Sequence, residues 1–381
     1  MPATSDLYIG LMSGTSLDGA DGVLVDFSGG ALRVVAAATE SFANPFRAEL
    51  LALNSPTHNE LHRAAVAGNQ IAAVYAKVVH ALLAQAGLQA SQIQAVGAHG
   101  QTVRHQPQRT SDEPAGAGYT LQLNNPALLA ELTGIDVAAD FRSRDVAASG
   151  QGAPLVPAFH QGVFGRKDAA VCVLNLGGIS NISVLPQELG DALSPILGFD
   201  CGPGNALMDA WCEQHTGQPY DAGGAWAASG ALLPELLASL LDEPYFSQPI
   251  PKSTGRDLFS LEWLAGKLAP FAAARPEDVQ NTLAEFTASA CVDSVKRYGK
   301  ESTSLIVCGG GAFNTYLLAR LQAGLPQVRV STSDAHGLPP LQVEAAAFAW
   351  LARQLVLRQP GNLPSVTGAR GLRVLGAVYP G

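Results

Sequence analysis

The chain has 381 residues, 47% hydrophobic and 14% charged, with a net charge of −9 and a pI near 5.3. That length exceeds one ordinary core, so two domains are expected, and the composition is that of a packed globular protein. The acidic balance argues against a nucleic-acid or anionic-membrane surface. Five cysteines without a CxxC pair suit reduced thiols in a cytoplasm. No signal-peptide pattern opens the chain, and no apolar run in it approaches a membrane span.

In chain order, the apolar run Leu7 to Met12 breaks into Ser13-Gly14-Thr15-Ser16-Leu17-Asp18-Gly19-Ala20-Asp21 and resumes at Val23 to Val25. This reads as strand, turn, strand. Gly14 and Gly19 permit positive φ and close approach of backbone N–H groups to an anion. Ser13, Thr15 and Ser16 add hydroxyl donors, and Asp18 suits a metal ion or its waters. An ordinary polar hairpin fits as well, but it needs only two turn residues. No GxxxxGK[ST] occurs, and no lysine lies between Met1 and Lys77, so this is not a Walker loop.

Leu32 to Ala38 reads as a third strand. Thr57 and Glu60 fit a capping box for a helix carrying Leu61, Ala65, Ile71, Tyr75, Val78 and Leu82 on one face, with Gly87 as its stop. Ile93 to Ala98 is a buried strand ending in His99-Gly100-Gln101-Thr102. Residues 106–118, rich in Pro, Gly, Gln and Ser, read as an exposed loop. The same order then recurs. Strand Ala170 to Leu174 enters Asn175-Leu176-Gly177-Gly178-Ile179. Strands Ile182 to Leu185 and Ile196 to Phe199 follow, then a helix from Pro276 to Gly299. Strand Leu305 to Cys308 ends in Gly309-Gly310-Gly311, and a last helix spans Val343 to Leu357. The expected fold class is α/β, with a duplicated β-β-β-α-β-α core and a nucleotide cleft between the halves. The first domain is expected at 1–140 plus about 358–381, the second at 141–357.

Several constellations are candidates for chemistry. Asp140-Phe141-Arg142-Ser143-Arg144-Asp145 fits either a solvated turn or a pocket wall in which arginine meets a carboxylate or phosphate. The following Gln151 to Pro157 stretch is too apolar for an exposed loop. Asp200 stands at a strand end beside Gly202-Pro203-Gly204, as a catalytic carboxylate or as a helix cap. Lys252-Ser253-Thr254-Gly255-Arg256-Asp257 is a polar turn of undecided role. Gly309 to Asn314 opens a helix whose N–H groups suit an anion or a purine edge. Glu344 opens an apolar helix, where an acid favours the dipole; His99 and His105 read as structural or pocket groups, without metal-site spacing.

A turn between two strands is how the actin, hexokinase and heat-shock-chaperone group holds nucleotide phosphates. The string LMSGTSLDGAD resembles the signature of the anhydro-N-acetylmuramic acid kinases. Further similar strings follow in order: AHGQTVRH, DFRSRDVAASGQGAPLVPAFH, LNLGGISN, GFDCGPGN, PKSTGRDLF, CGGGAFN and VEAAAFAWLA. The resemblance spans nearly the whole chain. It implies an actin-like fold with a mobile cleft, use of ATP with Mg2+ and a homodimer; the acidic balance and the lack of an apolar span are what argue for no nucleic-acid or membrane partner. The reaction implied opens the 1,6-anhydro bridge of 1,6-anhydro-N-acetylmuramic acid with water and phosphorylates O6, in peptidoglycan recycling. It also implies phosphate binding by Gly14, Thr15, Ser16, Leu17, Asp18, Gly19, Ala20 and Asp21. Gly177, Gly178, Gly309, Gly310, Gly311 and Asn314 join them on the ATP side. Asp200 matches the base that activates water. His99, Gln101, Arg142, Gln151 and Glu344 are the sugar-side candidates, Glu344 by its match to a family acid. Asn124-Asn125, Ser149, Cys201 and Leu341-Gln342 depart from the family pattern. Another sugar kinase of this fold, or a non-enzymatic actin-like nucleotide binder, is the alternative.

Overall fold

The computed structural model describes residues 6–14, 17–30, 32–107, 118–187, 195–255 and 258–381. Thr15, Ser16, Arg256 and Asp257 lie outside that set, as do residues 108–117 of the expected exposed loop. The chain divides into two compact units, residues 1–159 with 342–381, and residues 160–341.

The first unit opens with strands β1 (Leu7–Met12), β2 (Gly19–Asp26) and β3 (Arg33–Ser41), each antiparallel to the one before. Helices α1 (Asn44–Ala52) and α2 (Glu60–Ala86) follow, then β4 (Ala95–Ala98), a hairpin of β5 (Gln101–Gln106) and β6 (Tyr119–Leu123), α3 (Pro126–Thr133), β7 (Val137–Ala139), α4 (Ser143–Ala147) and α5 (Val156–Phe164). The capping box forms by half. Thr57 N–H donates to Glu60 Oε2 at 2.9 Å, but the Thr57 hydroxyl accepts from Arg63 Nη1 instead of capping the helix. Gly87 ends α2 in the left-handed conformation. By length and composition α2 meets the requirement for a membrane span, contrary to the reading of the sequence as lacking one. It buries Ile71, Tyr75, Val78, Val79 and Leu82 in the unit's core, as a core helix does.

The second unit repeats the plan. Strands β8 (Ala170–Leu176), β9 (Ile179–Leu185) and β10 (Leu197–Pro203) form an antiparallel run. Helices α6 (Ala206–Thr216), α7 (Ala225–Ser229), α8 (Pro234–Leu241), α9 (Leu261–Leu268) and the core helix α10 (Pro276–Tyr298) precede β11 (Ser302–Cys308), α11 (Thr315–Gly324) and β12 (Arg329–Thr332). Strand β11 is parallel to both β8 and β12, giving the order β10-β9-β8-β11-β12.

The chain closes on the first unit with α12 (Val343–Val356), α13 (Pro364–Thr367) and β13 (Ala377–Tyr379). The first sheet runs β13-β7-β4-β1-β2-β3, with β4 parallel to β1 and β7 parallel to β4. Leaving out β13, both sheets have the order third-second-first-fourth-fifth, with a helix crossing over before the fourth strand. That is the duplicated actin-like fold expected from the sequence.

The division differs from residues 140 and 357. Helix α12 belongs to the first unit because it lies directly on β1 and β4. A Cβ on Gly10 would fall on the Ala345 carbonyl, and one on Gly97 on the Phe348 carbonyl. The facing residues Ala345, Ala346, Ala349 and Ala352 are all buried. Two glycines and an alanine-rich helix thus bring backbone against backbone, a close approach that larger side chains prevent.

Candidate active site

In the first unit, the β1–β2 turn is held from beneath. Ser13, 1% exposed, places Oγ 3.0 Å from the Tyr75 hydroxyl and donates to the Gly100 carbonyl at 3.0 Å. Gly100 N–H donates to the same tyrosine oxygen at 3.1 Å, and Gln101 Nε2 donates to the Gly14 carbonyl at 3.1 Å. Leu17 adopts φ 59° with its side chain in the core. Gly19, Ala20 and Asp21 pair with both β1 and β3 or β3 alone, so much of their backbone is committed to the sheet. The turn itself and the carboxylates of Asp18 and Asp21, the latter accepting from Thr39 Oγ1 at 2.7 Å, are what this segment can offer a ligand.

Beside it, Arg142 enters the unit instead of facing solvent. Its Nε and Nη2 lie 3.2 and 2.9 Å from His99 Nε2, and Nη1 donates to the Gly152 carbonyl at 2.8 Å. Burial, with the Arg142 charge, pulls His99 down to about 3; burial also lowers Arg142 to about 10. His99 is therefore neutral, its Nε2 the acceptor and its proton on Nδ1. Glu344, at the start of α12, has its carboxyl raised by burial, while the charge of Arg142 pulls it down and that of Asp21 pushes it up. His99 Nδ1 and Gln101 Oε1 are buried with no partner among the described residues. Buried polar atoms of this kind are costly unless a ligand or water meets them. His99, Gln101, Arg142 and Glu344 are thus brought together.

The rest of the 140–152 stretch has other work. Asp145 is fully buried and accepts from Gly152 N–H, Asn362 Nδ2 and Thr367 Oγ1 at 2.8, 2.7 and 2.8 Å. Gln151 N–H donates to the Thr367 carbonyl at 2.7 Å. The carboxylate fastens the C-terminal segment to the loop that carries Arg142. Among the departures, Asn125 caps α3 through Leu128 N–H at 3.0 Å, whereas both amide atoms of Asn124 are buried without a partner among the described residues.

In the second unit, the β8–β9 turn of Gly177 and Gly178 is tied to the start of α6. Gly204 and Ala206 N–H donate to the Gly178 carbonyl, and Asn205 N–H donates to that of Gly177. Gly309, with φ +77°, and Gly311 pass close over this turn: Cβ atoms there would strike Asn175 and Leu176. The glycine segments 177–178 and 309–311 are therefore neighbours. Asn314 caps α11, its Oδ1 accepting from Leu317 N–H at 3.0 Å, so that oxygen serves the helix.

Asp200 lies on β10 at a bulge. It pairs with Asn181, the next pair is Gly202 with Ser180, and Cys201 is the extra residue, its side chain buried in the core. The Asp200 carboxylate is half-buried, and its Oδ2 accepts from Thr254 N–H at 3.0 Å. Burial pushes its pKa up to about 6, against the opposing pull of that hydrogen bond. Oδ1 has no protein partner among the described residues. The sequence left Lys252 to Asp257 undecided; in the structure Lys252 and Thr254 flank Asp200, and Tyr245, which no motif marked, donates its hydroxyl to the Asp200 carbonyl at 2.7 Å.

The paired sheets and their glycine turns define an α/β protein of the actin-like class. The model of the anhydro-N-acetylmuramic acid kinase family matches residues 6–381. A protein of Variovorax paradoxus with that name is 64% identical, over 98% of this chain and 99% of its own. One of Albidiferax ferrireducens is 63% identical over 99% and 100%, and one of Cupriavidus pinatubonensis 57% over the full length of both. The chain belongs to the anhydro-N-acetylmuramic acid kinase family, and it is an enzyme, a kinase.

Proposed function

We propose that the protein opens the 1,6-anhydro bridge of 1,6-anhydro-N-acetylmuramic acid with water and transfers the γ-phosphoryl group of ATP to O6. The products are N-acetylmuramic acid 6-phosphate and ADP, and the role is recycling of peptidoglycan fragments in the cytoplasm, by a homodimer. The observation that carries this reading is Asp200: a half-buried carboxylate at a bulge within β10, raised to about 6, with one oxygen held and the other without a protein partner among the described residues. A reaction that consumes water at neutral pH needs such a base.

Water adds to the anomeric carbon, and Asp200 takes its proton. The C1–O6 bond breaks, and O6 forms its bond to the γ-phosphorus as ADP leaves. In the first unit the β1–β2 turn, and in the second the glycine segments 177–178 and 310–311, each present backbone N–H groups of the kind that suits a phosphate. Arg142, neutral His99 and Gln101 offer donors and an acceptor to the sugar, with Glu344 as the acid of that cluster. Among the described residues no three His, Cys, Asp or Glu side chains cluster as a metal cage. Mg2+ would be held mainly through the triphosphate, with Asp18 or Asp21 reaching its waters, and would neutralise phosphoryl charge there.

The test is ATP turnover with and without the anhydro sugar, followed by mass measurement of the product. Gain of a phosphate and one water is expected. Gain of phosphate alone, or turnover indifferent to the sugar, overturns the reading.

A further inference from the structure

One segment brackets Asp200 on three sides. Its backbone N–H donates to the Lys252 carbonyl at 3.1 Å, its carbonyl accepts from the Tyr245 hydroxyl at 2.7 Å, and its Oδ2 accepts from Thr254 N–H at 3.0 Å. The segment is also closed on itself. Lys252 Nζ sits 4.4 Å from the centre of the Tyr245 ring and donates to the Tyr245 carbonyl at 3.1 Å. Tyr245 is 2% exposed and meets Phe246 and Phe259 edge-on, each at 5.7 Å. A buried tyrosine hydroxyl must find an acceptor. This one meets the peptide carbonyl of the proposed base, at the point where the bulge loosens β10 from its neighbour.

We propose that Tyr245 and Lys252 form a brace that positions Asp200 for proton transfer, Tyr245 through the Asp200 peptide and Lys252 by holding Tyr245 and the 252–254 backbone. Both are positioning residues, and the inference rests on Asp200 being the base. Lys252 is better suited to this than to a ligand: its ammonium is turned onto two aromatic rings and a carbonyl. Among the described residues, the charged and titratable groups around the base are Cys201 on its own strand, Tyr245 and Lys252 from the bracket, and Cys291, Asp293 and Arg297 on α10, the last two acting on Lys252.

The experiment is steady-state kinetics of the full-length enzyme with the anhydro sugar, from about pH 5 to about pH 9. The variants are Tyr245→Phe, Lys252→Met, Lys252→Arg, Asp200→Asn and the double variant Tyr245→Phe/Asp200→Asn. Tyr245→Phe is expected to lower kcat by about 5- to 50-fold, from one lost hydrogen bond and the misplacement it allows. Both KM values should stay within about twofold, since ground-state contacts persist. The acid limb of the pH profile should move, which loss of stability alone does not produce. Lys252→Met should act in the same direction and Lys252→Arg should recover part of the loss. In the Asp200→Asn background Tyr245→Phe should add nothing further, because it acts through Asp200. If Tyr245→Phe fails to fold, Lys252→Met supplies the same reading. Near wild-type kcat and an unmoved acid limb in the folded variants overturn the brace while leaving Asp200 as base. An additive loss in the double variant also overturns it. A fully active Asp200→Asn removes the base itself and the brace with it.

Discussion

Arg142 Nη2 lies 2.9 Å from His99 Nε2, so a half-buried cation donates to a neutral imidazole and not to a carboxylate. The pair leaves further guanidinium N–H groups and the His99 Nδ1 proton for a ligand. Arg142→Lys loses the fork that spans His99 and the Gly152 carbonyl. Charged hydrogen bonds contribute about 1.5–3 kcal/mol, so the KM for the anhydro sugar is expected to rise about 10- to 100-fold. ATP affinity, measured by calorimetry without sugar, should be unaffected; a selective loss of ATP binding would place Arg142 elsewhere.

The same neutrality sets a stability profile. His99 and His160 are 6% and 1% exposed, and burial holds each down to about 3 from an ordinary 6.5. Their folded pKa is depressed, so the unfolded chain binds protons first as pH falls. Their contribution is complete above about 6.5 and is lost progressively toward about 3, at up to about 1.4 kcal/mol per pH unit for each. Denaturant unfolding across that window should show the decline. His160→Gln, which cannot titrate, should show a shallower one.

For Asp200 the sign is reversed. Its folded pKa is raised to about 6 from 3.8, so ionisation costs stability as pH rises through that window. Asp200→Asn keeps an acceptor for Thr254 N–H and is expected to melt at or above the wild-type temperature at pH 7.5. The difference should vanish below about pH 4, where both side chains are neutral. Activity should move the other way, with kcat lower by about 10²–10⁴-fold. A variant both less stable and fully active would make Asp200 an ordinary structural carboxylate.

Asp145→Ala removes the acceptor for three buried donors. Each unsatisfied group costs about 1–3 kcal/mol, so a loss of about 3 kcal/mol or more is expected in chemical denaturation. Gln151, Gly152 and the C-terminal segment should show faster amide exchange in the native state. A loss below about 1 kcal/mol would mean that water replaces the carboxylate.

Gly10→Ala places a methyl group on the Ala345 carbonyl, which is backbone and cannot rotate aside. Overpacking costs about 1–3 kcal/mol and sometimes more, and a displaced α12 would carry Glu344 with it. The melting temperature should fall and the sugar KM rise together. A stable Gly10→Ala with unchanged kinetics would show that α12 is not held by this contact.

What the sequence by itself determined is whatever depends on neighbours along the chain. The strand-turn-strand at Leu7 to Val25, the helix stop at Gly87, the helix from Pro276 and the recurrence of one element order all follow from local turn chemistry and apolar period. Asp200 reads from sequence as a strand-end carboxylate, whereas β10 continues through it to Pro203 and the carboxylate sits at a bulge within the strand. Tertiary structure decided the rest. The bulge at Cys201 is a property of two paired strands. Tyr245 reaches the peptide of a residue 45 positions away, and Asn362 and Thr367 reach Asp145 across 217 and 222 positions. Helix α12 belongs to the first unit because glycines on β1 and β4 leave room for its backbone. Asn314 enters from sequence only as an ATP-side candidate, and its contact with Leu317 N–H shows that it caps α11. Local chemistry specifies which turns and helices form; burial and long-range hydrogen bonding set the protonation of His99, Arg142 and Asp200, and with it what those residues can do.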